Sequence, residues 1–236
     1  MTDSPRIVSL QVGMPRPLEV VPSSAGALQM TGIRKEPVEG PVWLGERNLA
    51  GDGQGSTGHD GLDRAVLGYP AAHYPLWQAE WGLATLPHGA FGENFTLAGL
   101  TEANVFIGDV IAVGGAVLQV SEPRVPCRTL ERHLGQEGAL ARIVATGRIG
   151  WLYRVRKAGA VEAGQAVTLI ERPYPAWTVA RAYQVYRLWR AGELVVQPLA
   201  NELAACPALS ATWRERLAKP YNSGRNTGGL NPVAAP

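Results

Sequence analysis

The chain of 236 residues contains two cysteines, Cys127 and Cys206, and no CxxC pair. That scarcity excludes the disulfide framework of a small secreted protein and leaves two reduced thiols. Long apolar runs are missing as well. Nothing approaches the roughly 20 apolar residues that span a bilayer, and the opening MTDSPRIVSL has no charged head followed by an apolar stretch. The expectation is a cytoplasmic protein without a membrane segment. Neither sign of charge dominates: 22 Lys and Arg face 20 Asp and Glu, a formal net charge of +2. So even a balance announces no nucleic-acid surface, and any basic site must be local. The sequence has no HExxH, no Walker lysine loop and no GxSxG elbow, which removes metalloprotease, P-loop and α/β-hydrolase readings. The segment GDGQG is too short and wrongly placed for a dinucleotide fingerprint.

What is present describes a globular protein, with 46% hydrophobic and 18% charged residues. RIVSLQV at residues 6–12 alternates as a strand does, and MTGIRKEPVEGPVWL reads as two short strands around Gly40 and Pro41. A Gly-rich loop, AGDGQGSTGHDG, precedes the strand-like RAVLGYP. PAAHYPLWQAEWG has helical composition, with Tyr74, Trp77 and Trp81 on one face. VFIGDVIAVGGAVLQV carries a hairpin signal at Gly114 and Gly115, and residues 151–171 repeat the strand-turn-strand pattern. Many short strands with few helices among them predict a β-barrel or related closed sheet through about residue 172. After ERPYPAW the pattern changes. Thr178 is placed to cap an amphipathic helix through Trp189, and PLANELAAC and SATWRERLAK predict two more. The resulting division is a barrel over 1–174, a three-helix domain over 175–220 and a disordered tail over 221–236.

Cys206, in ELAACPALS, reads as a small buried hydrophobe. Cys127 keeps different company. In SEPRVPCRTL, Pro123 and Pro126 stiffen the backbone, and Arg124 and Arg128 flank the thiol. Over residues 121–157 eight basic residues face three glutamates. Such a run is either a solvated face or an anion site, in which arginine suits phosphate and favours a thiolate. GHDGLDRAV adds His59, Asp60, Asp63 and Arg64, residues that serve turns as readily as ligands. A cysteine hydrolase pairing Cys127 with His59 or His133 also stays open.

The segment FGENFTLAGLTEANVFIGDVIAVGGAVLQVSEPRVPCRTL, residues 91–130, resembles the signature half of a MOSC domain, the family related to the C-terminal part of molybdenum-cofactor sulfurases. HDGLDRAVLGYPAAHY and IGWLYRV are similar to flanking motifs of its YiiM-like branch, whose members end in a small three-helix domain. The ordered set of GEN, GD, S-x-P-R-x-P-C and GW-L-Y-x-V is more specific than any one piece.

The resemblance implies a mainly β fold, a MOSC-type β-barrel-like domain followed by a small C-terminal three-helix domain. It further implies a molybdenum cofactor in its molybdopterin form, with Cys127 as the protein ligand to molybdenum. Soft thiolate suits that metal. Arg64, Arg124 and Arg128 would neutralise the pterin's phosphate, His59 and Asn94 would hydrogen-bond in the pocket, and Asp63 would orient Arg64 or make a polar contact itself. The branch is associated with reduction of N-hydroxylated bases such as 6-N-hydroxylaminopurine. With no NAD or flavin motif in the chain, electrons would come from a separate reductase protein. The alternative is a non-catalytic carrier of cofactor or sulfur on Cys127. Relatives read H-G-G-P-D-[RK] where this chain has HDGLDR, so Asp60 and Leu62 replace a glycine and a proline.

Overall fold

The computed structural model describes residues 4–18, 30–53 and 61–221. His59, Asp60 and the tail beyond Tyr221 lie outside the described residues. In chain order the strands are β1 (Arg6–Val12), β2 (Arg16–Pro17), β3 (Met30–Thr31), β4 (Glu36–Pro37), β5 (Val42–Leu44), β6 (Val66–Pro70), β7 (Phe95–Ala98), β8 (Val110–Val113), β9 (Ala116–Pro123), β10 (Trp151–Lys157), β11 (Gly159–Val161) and β12 (Thr168–Glu171). The helices are α1 (His73–Trp81), α2 (Arg128–Leu134), α3 (Ala139–Thr146), α4 (Val179–Arg190), α5 (Gln197–Ala204) and α6 (Ala211–Leu217). Single 3₁₀ turns occupy Leu62–Arg64 and Leu194–Val196.

Eight strands form one curled sheet in the order β12-β8-β9-β10-β6-β7-β1-β4. All its pairs are antiparallel except β6 and β7, whose parallel pairing needs the crossover that α1 supplies. The curl brings the far side of the sheet round. Ile7 N donates to Gln165 O at 3.0 Å and Val167 N to Pro5 O at 2.9 Å, so the start of β1 bonds to the segment leading into β12. This is the expected barrel-like, mainly β architecture, built as a half-barrel.

Local sequence explains the main elements. In β10, Trp151 and Tyr153 are buried while Leu152 and Arg154, alternating with them, are half-buried, the two-residue period of a strand with one face inward. The β8–β9 hairpin turns at Gly114 with φ +55°, where an added Cβ would lie 2.4 Å from the Ala160 carbonyl oxygen. Only glycine fits there. Thr178 caps α4 as expected, its hydroxyl accepting from Arg181 N at 3.0 Å.

Two features depart from the sequence expectation. Helices α2 and α3 lie within the barrel portion, directly after Cys127, where no helix was expected. They are short, and glycines in the left-handed region (Gly135, Gly138 and Gly147) bound them, so each carries too few apolar residues to show a period. Tyr221, the first residue of the expected tail, packs edge-on against Trp189 with ring centroids 5.2 Å apart.

One apolar core runs from the sheet into the C-terminal helices, joining Leu118, Val120, Trp151 and Tyr153 with Val179, Tyr186, Trp189, Trp213 and Leu217. Cys206 is buried in it. Backbone bonds stitch the same junction: Val179 N donates to Val105 O and Ser210 N to Ser121 O, at 2.8 and 2.9 Å.

Candidate functional site

The end of β9 delivers Arg124 and Cys127 to one place. Cys127 has extended backbone (φ −128°, ψ 167°) and stands immediately before α2, where its carbonyl accepts from Leu130 N at 3.0 Å. Pro126 fixes its own φ and restricts Val125, so the cysteine leaves the strand in a set direction. Its side chain makes no capping bond and is half-buried. The sulfur is thus held in position without being used by the fold.

Arg124 is buried, and its Nη1 has no hydrogen-bond partner. Its backbone N–H is spent on Gly150 O at 3.2 Å. Burial lowers the guanidinium's pKa, an effect opposed first by Cys127 and then by Tyr69, Glu93 and Tyr183 without cancelling it. Buried charges in proteins are ordinarily paired. Among the described residues no ion pair meets this one, and Cys127 follows it three positions later in the chain.

The buried carboxylates nearby are already engaged. Glu93 is fully buried and accepts from Gly89 N, Phe91 N and Thr96 Oγ1 at 2.8, 3.1 and 2.8 Å, and from the Tyr74 hydroxyl. Burial and the Glu93 carboxylate together push the Tyr74 phenol far up. Tyr69 stacks on Phe91 at 4.2 Å, accepts from Trp77 Nε1 at 2.7 Å and donates to Arg148 O at 3.2 Å. Glu102 accepts from Ile149 N and Gly150 N at 2.9 and 2.8 Å and holds His73 Nε2 at 2.7 Å, fixing the turn that receives Arg124.

The structure disperses the other sequence candidates. Asn94, next to Glu93 in GEN, accepts from Leu67 N at 3.0 Å and donates to Asp52 Oδ2 at 2.9 Å and Gln11 O at 3.3 Å. Asp52 in turn takes Gly13 N at 2.9 Å and the buried Lys35 ammonium. Asn94 therefore pins β1, β6 and the loop at Asp52 together. Asp63 is committed to Arg154 Nε at 2.7 Å and Arg64 to Glu122 Oε1 at 2.9 Å, on the seam with the C-terminal helices. Arg128 is exposed at the first position of α2.

Nor does the basic window pool its charge. Arg142 and Arg148 both pair with Glu80, while Arg154 and Arg156 converge on Gln119 Oε1 at 3.2 and 3.0 Å. No hydrogen bond joins Cys127 to His133, whose pKa is lowered by burial and by Arg34, so the described residues contain no cysteine–histidine pair at Cys127. Sequence reasoning missed Lys35, Asp52, Glu93, Glu102, Glu122, Tyr183 and Ser210. Only Glu93 carried a signal, as the middle of GEN.

Among the described residues no helix is long and apolar enough to cross a membrane. A family model described as the MOSC domain matches residues 55–168. YflK of Bacillus subtilis is 37% identical over 214 residues, covering 90% of this chain and 93% of that protein. A Gibberella moniliformis protein named "Reductase" is 40% identical over 164 residues, which make up 66% of this chain and 28% of that protein. The crystal structure of YiiM from Geobacillus stearothermophilus superposes with a TM-score of 0.74 at 34% identity, over 90% of this chain and 97% of that one. With near full-length relatives in sequence and in three dimensions, the chain belongs to the MOSC domain family, on its YiiM-like branch.

Proposed function

We propose that this protein is a molybdenum-cofactor-dependent reductase of N-hydroxylated compounds, with 6-N-hydroxylaminopurine as the type of substrate. The observation that carries the reading is the buried Arg124 guanidinium, its Nη1 without a partner, on the same short segment as the half-buried Cys127 sulfur. An orphaned cation of this kind is an anion receptor, since a bound anion would supply the pairing that the fold withholds.

The residues fit the cofactor. No group of three His, Cys, Asp or Glu converges for a metal ion among the described residues. Molybdenum in a pterin dithiolene arrives with most of its ligands, leaving one place for a soft thiolate, the part Cys127 would take. Arg124 would face the complex's negative charge with Arg64 and Arg128 beside it, whereas Asn94 and Asp63, both spent on the fold, would support the site only from behind. When bound, the cofactor supplies two electrons and a metal that accepts oxygen.

The overall conversion is R–NHOH + 2 e⁻ + 2 H⁺ → R–NH₂ + H₂O: the N–O bond breaks, a proton goes to nitrogen and the oxygen leaves as water. This chain's contribution is positional. The Pro123–Pro126 segment aims the sulfur, Arg124 gathers negative charge in a desolvated setting, and the saturated Glu93 and Glu102 hold the walls without competing for Arg124. Electrons come from a separate reductase protein. The Gibberella relative supports this, because its name is that of a reductase and the matched part is a minor share of its length.

Protein purified from a host that makes molybdopterin should convert 6-N-hydroxylaminopurine to adenine with reduced methyl viologen as donor, and Cys127→Ser should lose that turnover. Equal turnover by wild type and Cys127→Ser would refute the assignment. Metal-loaded wild type that turns over nothing would instead favour the carrier.

A further inference from the structure

We propose that the C-terminal helices are a working part of the site: Ser210 and Glu122 act as positioning residues that hold Arg64, and the turn carrying it, in place for the cofactor's anionic end. The cofactor half of this inference rests on the function proposed above, whereas the positioning half stands on geometry alone.

Glu122 lies one residue from the end of β9 and is almost completely buried. One carboxylate oxygen takes Arg64 Nε at 2.9 Å, and the other takes the Ser210 hydroxyl. Ser210 is itself anchored. Its backbone N–H donates to Ser121 O at 2.9 Å, and its hydroxyl oxygen accepts from Trp213 N at 3.3 Å as the cap of α6. The neighbouring Ala211 N points at Asp63 Oδ2 across 3.4 Å, and the other oxygen of that carboxylate takes Arg154 Nε. The Ser121 hydroxyl lies 2.6 Å from the Asp63 carbonyl oxygen and 2.9 Å from that of Leu152.

A three-residue surface turn is thus gripped through its backbone and both charged side chains, by β9, β10 and α6 together. Surface turns ordinarily need no such fixing. Burial raises the Glu122 carboxyl's pKa despite Arg64 and Ser210, so the ionised pair is held against a desolvation cost. What the arrangement achieves is a fixed direction for a long, otherwise flexible arginine. The arginine of that turn is therefore tied, through Glu122, to a helix from the far end of the chain.

The test compares wild type with Ser210→Ala, Glu122→Gln and Ser210→Thr in the full chain, by hydrogen exchange at residues 62–65 and by pterin content after oxidative release. Losing a charge-assisted tie should speed exchange in the turn by about tenfold in Ser210→Ala and Glu122→Gln. Pterin content should fall below half of wild type in both, and Ser210→Thr should restore both readouts. Unchanged exchange in both variants would overturn the inference. Faster exchange with full pterin content would break its link to the cofactor. Wild type without pterin would count against the proposed function, and the exchange result would then decide the positioning role by itself.

Discussion

Arg124→Met separates a residue kept for the fold from one kept for a ligand. The Arg124 pKa is lowered, so folding disfavours the charged guanidinium, and the unfolded chain holds that proton more tightly at every pH below the shifted value. Removing the charge therefore removes a penalty. An unsatisfied buried donor costs about 1–3 kcal/mol. The shorter methionine gives back about 1 kcal/mol through looser packing. Cofactor-free Arg124→Met should thus be more stable than cofactor-free wild type by about 1 kcal/mol, a rise in melting temperature of roughly 2–4 °C for a protein of this size. The assay is scanning calorimetry on both proteins from a host that lacks molybdopterin, paired with pterin content from a host that makes it. The variant should gain stability in the first and lose cofactor in the second. A fall in melting temperature of more than about 2–4 °C would show that Arg124 satisfies the fold, and the reasoning about an orphaned cation would fail.

Other outcomes follow from the same geometry. Asn94→Leu strands Leu67 N, Gln11 O and one oxygen of Asp52, and should cost about 3–4 kcal/mol in urea unfolding. Gly150 has φ +74°, and an added Cβ would lie 2.4 Å from Gly68 O, so Gly150→Ala should cost at least about 2 kcal/mol by the same measurement. His133 has a pKa lowered by burial and by Arg34, so from its ordinary value of 6.5 downward the unfolded state binds more protons than the folded one. Stability should therefore fall as pH drops below 6.5, and His133→Gln should make that fall shallower; identical pH profiles would contradict it.

Some of this was legible in the sequence and some could not have been. The β8–β9 hairpin showed at Gly114 and Gly115 because a turn needing positive φ selects glycine locally, and α4 showed because Thr178 and the apolar stripe to Trp189 lie within one helix. Arg124 and Cys127 stood out through the two prolines and the motif around them. That Arg124 would be buried without a partner was invisible, since burial depends on which distant segments close over it. The carboxylates that organise the site were hidden for the same reason. Glu122 meets Ser210 from 88 positions away and Glu102 meets Gly150 from 48, separations that no local pattern encodes. Arg64 and Asp63 were found as residues but not as a seam, because the C-terminal helices that engage them read as a separate appendage.

The most direct test of the central claim is the molybdenum-to-protein ratio of the full chain purified from a molybdopterin-producing host, measured by mass spectrometry of the metal. Near-stoichiometric molybdenum in wild type, lost in Cys127→Ser and in Arg124→Met, is the result expected of a thiolate and an unpaired guanidinium that together receive one anionic complex. Molybdenum retained by both variants, or absent from wild type, would contradict it.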